Sequence, residues 1–284
     1  MTTQSLLKFI DSGIANPHAV KIAEFFGGIE RVNRQLPIPP EVRATRKLFI
    51  CFTNRCGSNY LAEILASTGN FNLAGEVFNF DTVISHCKGH GHASLDAYVV
   101  ALIKSTSKNG NFAAKVSVAQ LMFLNNAGIL PTIFEGAHYL LLERADKLAQ
   151  AISFHIAWQT RQWTSYMKSE VDHTKISFDG ETISSMLEGI AQQYRLFDLF
   201  FSVHGIIPAL MSYENLVERP LASTQMALDG LGFGRQVFNL SNVRTEKQRN
   251  EVSARFKREY LDYIKNLRAS MNLPPAVCEI GATT

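Results

Sequence analysis

Short, continuously apolar runs, each followed by a helical pattern, constrain the fold of this chain most. The clearest are residues 47–53 and 138–143, which have the length of strands and do not alternate between apolar and polar side chains. A strand without alternation is buried on both faces, as in a parallel sheet covered by helices. Further strands are predicted at 111–116 and 207–213. The sequence therefore predicts an α/β fold, with a three-layer parallel sheet flanked by helices.

Helical periodicity and capping residues predict the elements between these strands. Predicted helices cover 57–68, about 94–107, 118–127, Asp146 (as N-cap) to about Met167, 180–204, 221–230 and 246–270. The Gly/His-rich segment 86–92 is predicted to be a loop. The break Pro37–Pro40 separates a helical N-terminal extension, residues 1–40, from a main domain, residues 41–284.

Composition excludes several classes of protein. The 284 residues carry a net charge of only +3 and no dense Lys/Arg tract, so no nucleic-acid partner is predicted. No apolar stretch approaches the length of a membrane span. Four cysteines without a paired framework, and an N-terminus without a signal-peptide pattern, predict a cytoplasmic protein.

The first predicted strand ends in a polar turn, residues 53–60, which reads Thr-Asn-Arg-Cys-Gly-Ser-Asn-Tyr. A turn of this kind at a helix N-terminus points backbone N–H groups at one spot and stabilises an anion there. The second glycine and the lysine of an ATPase P-loop are missing, as are the glycines of a dinucleotide motif. Arg55 supplies a fork-shaped cation suited to phosphate or sulfate. The alternative is an ordinary turn in which Ser58 merely caps the helix.

A second anion site is predicted after the third strand. Arg144 follows this strand at its carboxyl end, where ligands of open α/β sheets bind. Ser153 lies two turns into the next helix, within reach of an anion held by Arg144. Two such sites at the ends of parallel strands would suit a ligand phosphorylated at two positions.

Several segments together resemble a known family. They are 52–58, 142–153, 159–163, and 210–216 followed by Leu231-Gly232-Phe233. They resemble bacterial sulfotransferases of the trehalose sulfotransferase type, over roughly residues 47–260. The resemblance implies a P-loop-like sulfotransferase fold and the donor 3′-phosphoadenosine 5′-phosphosulfate (PAPS).

The resemblance also implies roles for individual residues. The 5′-phosphosulfate would be held by Arg55, Cys56, Gly57, Ser58, Asn59 and Tyr60. Arg144 and Ser153 would hold the 3′-phosphate. The catalytic residues would be Glu76, which occupies the place of the family's general base, and Arg55, which would stabilise charge on the bridging oxygen. The family usually has Ser at Cys56 and Thr at Asn59.

The acceptor implied by the resemblance is a hydroxyl of a carbohydrate or glycolipid. Its candidate contacts are His86 near the base and Trp163, which would stack on a sugar. Lys115, at the end of the second strand, could contact the donor or the acceptor. A snorkelling lysine and a core tryptophan are the alternatives. No metal is expected, because the histidines lack the paired spacing of a closed zinc site. A homodimer is compatible with the family.

Two other functions remain open at this point. The first is a nucleotide-dependent small-molecule kinase, against which stand the missing P-loop lysine and the absence of an evident Mg²⁺-binding carboxylate after a strand. The second is a non-catalytic nucleotide-binding protein, which Cys56 and Asn59 favour. The identity of the acceptor is not encoded in any motif.

Overall fold

The computed structural model describes residues 16–28, 37–172, 175–245 and 251–274. The helices are α1 (Pro17–Phe26), α2 (Pro40–Ala44), α3 (Ser58–Ala66), α4 (Phe80–His90), α5 (Leu95–Thr106), α6 (Val118–Asn126), α7 (Lys147–Thr160), α8 (Gly180–Val203), α9 (Tyr213–Glu218), α10 (Pro220–Gly230) and α11 (Glu251–Ser270). The strands are β1 (Arg46–Cys51), β2 (Asn111–Val116), β3 (His138–Glu143) and β4 (Ala209–Ser212). None of these helices is both long enough and apolar enough to cross a bilayer.

The described residues form two compact units. One contains those of Met1–Ala145 and Gln192–Thr245, and the other those of Asp146–Ala191 and Glu246–Thr284. The helical patterns predicted before residue 16 lie outside the described residues. The division into an extension, 1–40, and a main domain, 41–284, stays a prediction.

A four-stranded sheet organises the first unit. Its strand order is β2-β1-β3-β4, and every neighbouring pair is parallel. In the centre, Ile50 lies opposite Lys115 on one side and Leu140 on the other. Because the strands are parallel, all four carboxyl ends meet at one edge of the sheet, where α/β proteins place their ligands. The predicted parallel sheet is confirmed.

Both faces of the sheet are covered, which explains the unalternating apolar runs. Leu48 and Ile50 are fully buried in a cluster that includes Leu61 and Leu65 of α3. The intervening Phe49 points to the opposite face, where aromatic rings surround it. These rings belong to Phe78, Phe134 and Tyr139, with centroids 4.8–6.1 Å from that of Phe49. The predicted three layers are confirmed.

The prediction of a loop at 86–92 was wrong, because helix α4 extends to His90. The side chain of Asn79 accepts a hydrogen bond from the Asp81 N–H (3.1 Å) and caps this helix. Gly91, with φ 70°, ends it in the left-handed conformation that favours glycine. Burial of Cys87 on its inner face outweighs the low helix propensity of the Gly/His-rich sequence.

Helix α7 of the second unit begins as predicted but ends earlier. Asp146 caps it by accepting from the Ala149 N–H (2.9 Å). The helix ends at Thr160 rather than near Met167, because Arg161 adopts a left-handed φ of 57°. The Thr160 carbonyl then accepts from the Glu170 N–H (2.9 Å), so the chain folds back at this point.

Candidate active site

The loop between β1 and α3 has the backbone of an anion site. Arg55 (φ 66°) and Gly57 (φ 95°) adopt left-handed conformations, whereas Cys56 between them does not. Such alternation turns successive N–H groups toward one concave spot. Gly57 is the N-cap of α3, and no side chain of the described residues caps this helix. Ser58 instead begins the helix, so the alternative of a turn capped by Ser58 does not describe this loop.

The side chain of Cys56 packs into the hydrophobic core next to this loop. It is fully buried among apolar residues, and its N–H donates to the Thr53 carbonyl (3.3 Å). Burial raises the pKa of the Cys56 thiol to about 11, so the thiol stays protonated at neutral pH. The cysteine is a core residue of the turn and not a nucleophile.

Two arginines lie next to each other at this sheet edge. Arg144, directly after β3, is only 8% exposed, and its Nη1 donates to the Arg55 carbonyl (3.4 Å). Burial, and then the positive charge of Arg144, lower the pKa of Arg55. Two neighbouring cations disfavour each other's charged form, and a bound anion would stabilise both. The two arginines therefore make this edge of the sheet a candidate anion site.

Tyr213, which was not among the predicted site residues, lies beside both the anion loop and Arg144. It directly follows β4, and its ring packs against Gly57 so closely that a Cβ there would lie 2.6 Å from Tyr213 Cδ2. The Arg144 guanidinium lies over the same ring, 4.8 Å from its centroid. Its position at the carboxyl end of a strand was the one signal in the sequence.

Replacing Gly57 by Ala should therefore destabilise the protein and weaken anion binding. The side chain would be strained at φ 95° and would displace Tyr213, so we expect a loss of about 2 kcal/mol or more in the free energy of unfolding. Urea denaturation measures this loss. The control is Gly69→Ala, since Gly69 also has a positive φ (72°) but open space around it. Equal losses in both variants would show that the Tyr213 contact imposes no constraint.

The loop that carries Glu76 is fixed alongside β2. The Lys115 N–H donates to the Gly75 carbonyl (2.9 Å), and the Tyr98 hydroxyl donates to the Val77 carbonyl (2.7 Å). These bonds hold the backbone on both sides of Glu76. The carboxylate accordingly lies at the same edge of the sheet as the anion loop.

Lys115 joins Glu76 to the anion loop. Its Nζ donates to Glu76 Oε1 (3.1 Å) and to Asn59 Oδ1 in the first turn of α3. Lys115 is only 5% exposed, so it does not snorkel to solvent. Three residues from separate parts of the sequence thus form one polar cluster.

His86 lies on α4 in a stack of imidazole rings. Its ring centroid is 4.1 Å from that of His90 and 5.4 Å from that of His92, with nearly parallel planes. Burial, and then these two neighbours, lower the pKa of His86. No group of three or more His, Cys, Asp or Glu among the described residues is arranged to hold a metal. The His86 ring also contacts Tyr98 (5.1 Å), which links the stack to the loop of Glu76.

Three further predicted site residues are Tyr60, Ser153 and Trp163. Tyr60 is in the first turn of α3 and half-buried. Ser153, on α7, and Trp163, just after it, belong to the second unit. The Trp163 ring lies 6.1 Å from that of Phe154. The shared phosphate site of Ser153 and Arg144 stays a prediction, as does the acceptor role of Trp163.

Comparisons with known proteins identify the family. The family model described as Stf0 sulphotransferase matches residues 47–262. A search of the curated proteins found no match. A sulfotransferase from Alicyclobacillus acidocaldarius is 15% identical, with a TM-score of 0.47 over 81% of this chain and 97% of that one. The sulfotransferase domain from the curacin biosynthetic pathway is 16% identical, with a TM-score of 0.46 over 75% and 83%. Because the family model matches well over half of its residues, this chain belongs to the Stf0 sulfotransferase family, a family of sulfate-transferring enzymes.

Proposed function

We propose that the protein transfers a sulfuryl group from PAPS to a hydroxyl of a carbohydrate or glycolipid. The observation that carries the donor assignment is the pair of neighbouring arginines, Arg55 and Arg144, at a loop with anion-binding backbone. A ligand with two anionic groups could place one beside each of these arginines. PAPS is such a ligand, and the sulfotransferase family generally uses it.

The 5′-phosphosulfate would lie in the first loop and the 3′-phosphate at Arg144. Arg55 and the backbone of Gly57–Tyr60 would contact the phosphosulfate, over the turn formed by Cys56. Ser153 is proposed as a further contact of the 3′-phosphate on the basis of the family resemblance. In this arrangement the charge of Arg55 and the N-terminus of α3 act on the same group.

Transfer would proceed by in-line displacement. Glu76 would take the proton of the acceptor hydroxyl while the acceptor oxygen forms a bond to sulfur. The bond from sulfur to the bridging oxygen breaks, and adenosine 3′,5′-bisphosphate leaves with that oxygen. Arg55 would stabilise the charge that develops on it. His86 and Trp163 are the proposed acceptor contacts.

Binding of adenosine 3′,5′-bisphosphate tests the donor assignment without an acceptor. At 100 times its Kd, the product should stabilise the folded protein by about 2.7 kcal/mol, which raises the melting temperature. The effect should need no Mg²⁺. Adenosine 5′-monophosphate, which lacks the 3′-phosphate, should stabilise much less. Preference for ATP with Mg²⁺ would contradict the proposal and indicate a kinase.

Radiolabelled PAPS incubated with the enzyme and a cell extract tests transfer itself. A labelled carbohydrate or glycolipid product is expected, and its structure identifies the acceptor. Binding of adenosine 3′,5′-bisphosphate with no labelled product from any extract or sugar would instead support a non-catalytic nucleotide-binding protein.

A further inference from the structure

Lys115 is a buried cation near the carboxyl end of β2. It is the fifth residue of that strand, and its Nζ lies over the Phe52 ring, 5.3 Å from the ring centroid. Removing an ammonium group from water is costly unless strong partners replace the water. The partners are the Glu76 carboxylate and the Asn59 side-chain carbonyl. The buried charge is therefore fixed in one geometry.

These two partners have different functions in the proposed reaction. Glu76 is the proposed base, and its side chain is 41% exposed, so an acceptor can reach it. Asn59 lies in the first turn of α3, directly beside the backbone proposed to hold the phosphosulfate. Because Lys115 engages Oε1, an acceptor hydroxyl can approach the other oxygen, Oε2. Lys115 thus spans the distance between base and donor loop.

We propose that Lys115 is a positioning residue that holds the Glu76 carboxylate at a fixed place relative to the donor loop. In this role it acts through Glu76 and Asn59. A direct contact with the acceptor, which the sequence analysis suggested for Lys115, is not part of the inference. The inference rests on the proposed function, because it takes Glu76 as the base. In-line transfer is sensitive to such placement, since an error of about 1 Å can lower a rate about 100-fold.

Lys47 provides a matched comparison. It is also a strand lysine of this sheet and also nearly buried (4% exposed), but it lies near the start of β1, at the opposite end of the strands. Its Nζ donates to the Arg43 carbonyl (3.1 Å). Replacing Lys47 therefore removes a buried strand lysine without disturbing the proposed base.

The test compares Lys115→Met, Lys115→Arg, Glu76→Gln, the double variant Glu76→Gln/Lys115→Met, and Lys47→Met. Transfer from radiolabelled PAPS should fall about 100-fold in Lys115→Met, with less than about a threefold change in Kd for adenosine 3′,5′-bisphosphate. The double variant should be no slower than Glu76→Gln, because both changes remove the same function. Lys115→Arg, which keeps the charge, should recover part of the rate. Lys47→Met should transfer at the wild-type rate.

Two results would overturn the inference. A tenfold or greater loss of product affinity in Lys115→Met would mean that Lys115 contacts the donor. Multiplicative rate losses in the double variant would mean that it acts independently of Glu76. The same variants in urea denaturation give a thermodynamic cycle that needs no activity. If the wild type neither binds the product nor transfers sulfate, the proposed function fails. Absence of coupling in that cycle would instead show that the charges of Lys115 and Glu76 do not stabilise each other, which overturns the inference alone.

Discussion

Sulfuryl transfer by a Glu76→Gln variant should fall by a factor of about 10²–10⁴, the usual contribution of a general base. Glutamine matches glutamate in size and can still accept a hydrogen bond from Lys115 Nζ, but it cannot take the proton of an acceptor hydroxyl. Because Glu76 lies beside the donor loop rather than in it, the Kd for adenosine 3′,5′-bisphosphate should stay near that of the wild type. The loss should therefore appear in kcat.

Labelled product from radiolabelled PAPS gives the rate, and calorimetric titration gives the product Kd. The matched control is Glu41→Gln, which also changes a lysine-paired glutamate, since Glu41 lies 3.0 Å from Lys104 on the surface. This control should transfer at the wild-type rate. Wild-type turnover by Glu76→Gln would remove Glu76 from the mechanism, and an equal loss of product affinity would reassign it to donor binding.

The layers of the fold could be predicted because a strand that is buried on both faces has a run of consecutive apolar residues in the sequence. A strand covered on both faces is apolar through its buried middle, as residues 48–51 of β1 and 139–142 of β3 are. The wrong prediction of a loop at the end of α4 shows that local composition alone does not determine secondary structure. The caps Asn79 and Gly91 were readable in the sequence, but Gly and His between them have low helix propensity, and burial of the inner face decides the outcome.

Only those residues of the candidate site that lie at the ends of predicted strands could be assigned from the sequence. Arg144 directly follows β3 and Arg55 lies in the loop after β1, and parallel strands bring such residues to one edge whatever the strand order. The contact of Tyr213 with Gly57 and the bond of Lys115 to Asn59 depend instead on which strands are neighbours and on their register. Neither property has a local signal in one sequence. The hydrogen bond from Lys115 to Glu76, the proposed base, likewise has no signal in the sequence.

An Arg55→Ala variant should lose donor affinity. The half-buried Arg55 cation lies beside the Arg144 cation, and burial, then that neighbouring charge, lower its pKa. Removing it relieves Arg144 of a like charge, and Ala is no more strained than Arg at the left-handed φ of 66°. One charge-assisted hydrogen bond contributes about 1.5–3 kcal/mol, so the Kd for adenosine 3′,5′-bisphosphate should rise about 10- to 100-fold.

Melting with and without the product measures this loss. The product should raise the melting temperature of Arg55→Ala far less than it raises that of the wild type. The control is Arg46→Ala, at the opposite end of β1, where the guanidinium packs 3.8 Å from the centroid of the Phe233 ring. This control should melt lower yet bind the product normally, because its arginine stabilises the core and not an anion. Unchanged product affinity in Arg55→Ala would exclude Arg55 from the donor site.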